Sequence, residues 1–145
     1  MKKNDPPVVV EQRFEASIEA VWKAISQIDE MKIWYFADIP DFKAEIGFET
    51  QFTVKSGGRD FLHQWKVTEV VPLKKVVYQW RYAQYDGQAT VGFELQPDEA
   101  GTRLTVSVYT TVDFPVDIPE FTEESCRSGW EYFIQQRLQL YFASR

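Results

Sequence analysis

The sequence predicts an α+β fold in which a curved, six-stranded antiparallel sheet wraps around a long C-terminal helix, with two short helices after strand 1. Three observations predict it. From position 48 to 112 apolar residues recur with period two between regularly spaced turn signals, as in a meander of hairpins. After Pro119 the spacing turns helical, with one broad aromatic face. Aromatic residues make up 16% of the chain, 5 Trp, 7 Tyr and 11 Phe, which requires either a heavily packed core or an aromatic cavity wall.

Taken in order, Val8–Phe14 is β-branched and apolar enough for the first strand. Ser17 then offers an N-cap to a short helix with Ile18, Val21, Trp22, Ile25 and Ile28 at helical spacing. A second helical piece over 31–36 carries Trp34, Tyr35 and Phe36 before Pro40 stops it. Ser56-Gly57-Gly58 joins a strand over 48–55 to Arg59–Val71. Pro72-Leu73-Lys74 leads into Lys75–Tyr82, Asp86-Gly87 into a strand over 88–96, and Asp98-Glu99-Ala100-Gly101 into one over 102–112. In the last helix Glu120, Glu123 and Glu124 lie where the dipole favours negative charge. Its apolar face is Cys126, Trp130, Phe133, Ile134, Leu138 and Tyr141, and its polar face is Ser128, Gln135, Gln136 and Gln139.

The length fits one domain over 1–145, with no repeat or interior linker, and residues 1–7 are expected to be disordered up to Pro6-Pro7. Acidic residues outnumber basic ones 22 to 16, for a net charge of −6. That balance disfavours nucleic acid as a partner, because Lys2-Lys3 and Lys74-Lys75 form no basic stripe. Cys126 is the only cysteine, so no internal disulfide forms. The segment Met1 to Pro7 has no apolar run of signal or membrane-span length, which leads to an expected cytoplasmic location without membrane insertion.

Candidate site residues come from alternation. Phe61, His63, Trp65 and Val67 share one face of their strand, and Tyr78, Trp80 and Tyr82 share one face of the next. With Trp34, Phe52, Phe93, Trp130 and Phe133 they make an expected aromatic box. His63 reads as a general base, a ligand partner or a hydrogen-bonded wall residue, and no second catalytic group is identifiable beside it. Arg137 reads as a partner for Glu69 or a ligand acid, or as a stem over apolar surface with its head in water. Cys126 lacks an activating base and reads as a small buried hydrophobe. One His and one Cys give no recognisable zinc spacing, and there is no phosphate-cradling loop or Gly-x-Ser-x-Gly elbow. No catalytic residue, metal or cofactor is assigned.

Val21-Trp22 followed by Trp34-Tyr35-Phe36, the run Val76-Val77-Tyr78-Gln79-Trp80 after the Pro72 turn, and Gly129-Trp130 in the last helix carry a family likeness. Across essentially its whole length the chain resembles the START-like, birch-allergen-like helix-grip SRPBCC superfamily. Within it the chain resembles the activator-like proteins for the ATPase of the ninety-kilodalton heat-shock chaperone. That family often has a His three residues before the Gly-Trp pair, where this chain has Cys126. The resemblance implies a hydrophobic pocket for a small apolar or aromatic molecule. The resemblance does not imply chaperone activation, and two alternatives stand beside the pocket reading: a small cyclase, dehydratase or hydrolase in the same cavity, or chaperone association through exposed Trp34, Tyr35 and Phe36.

Overall fold

Three residues after strand β1 (Val8–Phe14) comes Ser17, whose hydroxyl accepts from the Ala20 N–H at 3.2 Å and so starts helix α1 (Ile18–Ser26). The structure, a computed structural model, describes residues 1–144; Arg145, the end of the expected domain, lies outside the described residues. Gln27 is extended (φ −105°, ψ 129°) and breaks the helix, so helix α2 (Ile28–Trp34) begins at Ile28 rather than at 31. The indole N–H of Trp34 donates to the Ala24 carbonyl at 2.7 Å and ties the two helices together.

The meander follows as β2 (Glu49–Ser56), β3 (Arg59–Val71), β4 (Lys75–Tyr82), β5 (Tyr85–Asp98) and β6 (Gly101–Val112). All pairs are antiparallel, in the order β1-β6-β5-β4-β3-β2, so the first strand closes against the last. Gly57 and Gly58 sit at φ 56° and 78°, as a two-residue primed hairpin turn requires. The expected Asp86-Gly87 turn lies elsewhere. Strands β4 and β5 are joined through Ala83 and Gln84, with Tyr82 paired to Tyr85, and Gly87 (φ 115°) belongs to β5. There an added Cβ would stand 2.2 Å from the Phe114 ring, so the glycine serves close packing.

Thr122 caps the C-terminal helix by accepting from the Ser125 N–H at 3.1 Å, immediately after a 3₁₀ turn at Pro119–Phe121. The helix runs over 123–143 as helix α3 (Glu123–Glu131), a π-helical stretch (Tyr132–Arg137) and helix α4 (Leu138–Ala143). Trp130, Ile134 and Leu138 are buried against the sheet. The polar face covers a sheet edge: Arg127 donates to the Val9 carbonyl at 3.2 Å and Gln135 to that of Glu11 at 3.1 Å. Those β1 carbonyls would otherwise be an unpaired edge. This is the helix-grip arrangement the sequence predicts.

Residues 1–7, expected to be disordered, are instead tethered. The Met1 amino group donates to the Phe121 carbonyl at 2.9 Å, Phe114 N–H donates to Met1 O at 3.0 Å, and Lys3 N–H donates to Asp113 at 2.7 Å. No helix among the described residues is long and apolar enough to cross a membrane.

Candidate functional site

The inward face of the sheet divides into a filled end and a hollow end. At the filled end Trp65, Tyr78 and Phe93, from adjacent strands, pack with Tyr35 and Phe42. Further along the same strands the inward residues are His63 and Phe61 on β3, Trp80 and Tyr82 on β4, and Val91 and Ala89 on β5. Val54 and Val108 continue the series on β2 and β6. Ala89, Val91, Val54 and Val108 are too short to fill the space that Phe93 and Trp65 fill, and a cavity of about 280 Å³ remains. Its far wall is Cys126, Gly129, Trp130 and Phe133 of the C-terminal helix, with Phe114 and Phe121 from the segment before it. Ser56, Glu120 and Ser125 form its more exposed margin.

Of the twelve residues expected at the site, Phe61, His63, Trp80, Tyr82, Trp130 and Phe133 line this cavity. The other six do not. Trp34 is spent on holding α2 to α1, and Phe52 lies behind His63, stacked on its ring at 5.0 Å and 18°. Trp65, Tyr78 and Phe93 close the filled end, where the Tyr78 hydroxyl lies 2.9 Å from that of Tyr35. Arg137 points away from the cavity: its guanidinium donates to the Ile33 carbonyl at the end of α2 and to the Tyr132 hydroxyl at 3.3 Å. Neither Glu69 nor a cavity ligand is its partner, and Glu69 pairs instead with Lys75 at 3.5 Å.

The expected surface patch is also corrected. Trp34 and Tyr35 are 1% and 4% exposed, and Phe36 is half-buried beside Phe52, His63 and Phe133. Their side chains build the core because α2 turns its aromatic end under the sheet. Two groups stand out among the lining residues that sequence reasoning missed. Ala89, Val91, Val54 and Val108 carried the right alternation but were passed over for aromatics; Phe114 and Phe121 lie in an aperiodic stretch with no pattern to read.

The cavity's buried polar groups are held neutral. His63 is 5% exposed, and burial lowers its pKa from 6.5 to about 4, against the opposing pull of the Phe61 carbonyl 2.9 Å from Nδ1. Burial raises the Tyr82 phenol above its ordinary value, outweighing the Trp80 indole N–H that donates to its oxygen at 2.8 Å. Burial also pushes the Cys126 thiol up to about 11, although Arg127 pulls the other way, so no thiolate nucleophile stands at neutral pH. Glu120 is the one carboxylate on the lining. Its Oε2 accepts from Ser56 Oγ at 3.0 Å, and Oε1, buried without a hydrogen bond, faces Arg59 at 3.6 Å as a looser ion pair. Among the described residues no three His, Cys, Asp or Glu side chains cluster to hold a metal.

A sheet gripping a C-terminal helix over an apolar cavity defines the START-like, helix-grip class. The model of the family described as activator of Hsp90 ATPase homolog 1-like protein matches residues 15–143, and the chain belongs to that family. Several solved structures are similar. Protein CV1439 from Chromobacterium violaceum superposes with a TM-score of 0.77 at 18% identity, over 94% of this chain and 96% of that one. Protein BH1534 from Bacillus halodurans does so with 0.73 at 27% identity, over 95% and 97%. The Aha1 dimer from Colwellia psychrerythraea gives 0.66 at 19% identity, over 94% and 95%. At under 25% identity the first and third speak for the fold alone. No curated protein matches the chain in sequence.

Proposed function

We propose that this protein binds a small, uncharged, apolar or aromatic molecule in the hollow end between sheet and C-terminal helix. The observation that carries the reading is the cavity itself: about 280 Å³, walled by Phe61, Trp80, Val91, Val108, Trp130 and Phe133. An apolar protein cavity of roughly 150 Å³ takes up one benzene, so this one suits a one- or two-ring molecule. Transfer of apolar ligand surface out of water supplies the affinity, at roughly 25 cal/mol per Å² before the cost of immobilising the ligand.

Binding is favoured over a cyclase, dehydratase or hydrolase because His63, Tyr82 and Cys126 are all uncharged near pH 7. Efficient proton transfer needs a pKa near the working pH, and an activated nucleophile needs a base beside it. Chaperone association is not favoured, since Trp34 and Tyr35 of the aromatic patch expected to carry it lie inside the core and Phe36 is half-buried against it. Native mass spectrometry with a thermal-shift screen of uncharged aromatics tests the reading. A bound one- or two-ring compound that raises the melting temperature supports it, and a full screen with no shift and no retained mass refutes it.

A further inference from the structure

The cavity wall carries a polar atom that the protein leaves unused. The Nδ1 of His63 lies 2.9 Å from the Phe61 carbonyl oxygen. A carbonyl only accepts, so Nδ1 carries the proton and Nε2 is a lone-pair acceptor. None of the described residues donates to Nε2. The ring is surrounded by Phe36, Phe52, Trp80 and Tyr82. The Trp80 N–H is already given to the Tyr82 hydroxyl at 2.8 Å. That hydroxyl therefore accepts from Trp80, and its own proton has no acceptor among the described residues. His63 lines the cavity, and Nε2 is not sealed within the core, so it is open to a ligand's donor. Here the open space beside it is the cavity.

We propose that the ligand carries an O–H or N–H donor on an otherwise apolar one- or two-ring body, and that His63 Nε2 receives that donor. The proposal rests on the cavity-binding reading above and names the chemistry of its ligand. A plain hydrocarbon leaves Nε2 unpaired. A carboxylate presents only acceptors and meets the lone pair with repulsion. A cation would lose its hydration in an aromatic box whose single carboxylate, Glu120, is engaged by Ser56 and faces Arg59. A ligand hydroxyl can in addition accept the unused Tyr82 proton.

Matched probes test this on the full chain, with dissociation constants from NMR titration at pH 7.5. Indole is compared with indene, 2-naphthol with naphthalene, and 2-naphthoate serves as the anion. The donor member of each pair is expected to bind roughly tenfold more tightly than its hydrocarbon, in line with one hydrogen bond, and 2-naphthoate more weakly than either naphthalene or 2-naphthol. His63→Phe keeps an aromatic ring at the position and should bind indene and naphthalene at least as well as wild type while losing the preference for indole over indene; a hydroxyl can still take the Tyr82 proton, so 2-naphthol loses only part of its advantage. Should that variant fail to fold, the wild type supplies the second measurement. Below pH 4 His63 is charged and Nε2 becomes a donor, so the preference for indole, which can only donate, should disappear there, whereas the 2-naphthol oxygen can still accept. The other titratable groups on the lining are Tyr82 and Cys126, both uncharged across that range, the Met1 amino group, which donates to the Phe121 carbonyl, and Glu120 on the margin. Equal affinity within each wild-type pair, or a preference for indole over indene that survives both His63→Phe and acid, overturns the proposal while leaving cavity binding intact. No binding by any probe overturns the cavity reading itself.

Discussion

The hydroxyl oxygens of Tyr35 and Tyr78 lie 2.9 Å apart with both rings buried, inside the filled end of the sheet interior. Each hydroxyl is the other's hydrogen-bond partner, and burial holds both phenols above their ordinary pKa. Tyr35→Phe or Tyr78→Phe strands one buried hydroxyl and should cost about 1–3 kcal/mol. The double variant should cost less than the sum of the singles, because it removes both partners. Urea unfolding of the four proteins checks this, and additive costs would show that the pair is not a unit.

Acid should weaken the fold through His63. Its folded pKa, about 4, lies below the unfolded value of 6.5, so the unfolded chain binds more protons between them. Stability from this group is therefore complete above about pH 6.5 and falls as pH drops to 4, by about 3 kcal/mol. Denaturation midpoints for wild type and His63→Phe across that window isolate the effect. The variant should lack this component of the slope; identical slopes would show that His63 is not buried neutral.

Two glycines should respond in opposite directions. Gly87→Ala places a methyl against the Phe114 ring at a φ of 115°, and should destabilise by about 1–3 kcal/mol while pressing Phe114 toward the cavity it lines. At Gly129, in helix α3, an added Cβ meets nothing within 4 Å. Gly129→Ala should stabilise by about 0.5–1 kcal/mol. Thermal melts of both variants decide the matter.

Filling the hollow should abolish binding without unfolding the protein. Ala89 is 3% exposed and on the cavity wall, so Ala89→Leu directs added volume into empty space. Its melting temperature should stay at or above that of wild type while ligand-induced shifts vanish. Retained binding with an unchanged dissociation constant would place the ligand elsewhere.

The backbone plan was legible because each signal was local. Alternation marked β3 and β4 to the residue, and Ser17 and the Gly57-Gly58 pair marked their cap and turn. Gly87 misled because a glycine required for contact with Phe114 looks the same in sequence as one required for a turn. The site was half legible. Alternation fixes which face a side chain takes but not its position along the strand relative to its neighbours, so Trp65, Tyr78 and Phe93 looked equivalent to His63, Trp80 and Val91. What separates them is which end α2 fills with Tyr35, a tertiary fact. Arg137 sat among apolar neighbours on an ideal helix wheel, but the π-helical stretch at Tyr132–Arg137 departs from the 100° spacing, and its head goes to Ile33.

Methyl NMR of the full chain titrated with naphthalene and 2-naphthol tests the central claim most directly. Ala89, Val54, Val91 and Val108 line the hollow end, Val67 and Val76 belong to the core away from the cavity lining, and Ile46 and Val116 are exposed. The cavity account predicts saturable shifts concentrated on the first four. Unchanged spectra up to the solubility limit of both compounds, or shifts confined to Ile46 and Val116, would contradict it.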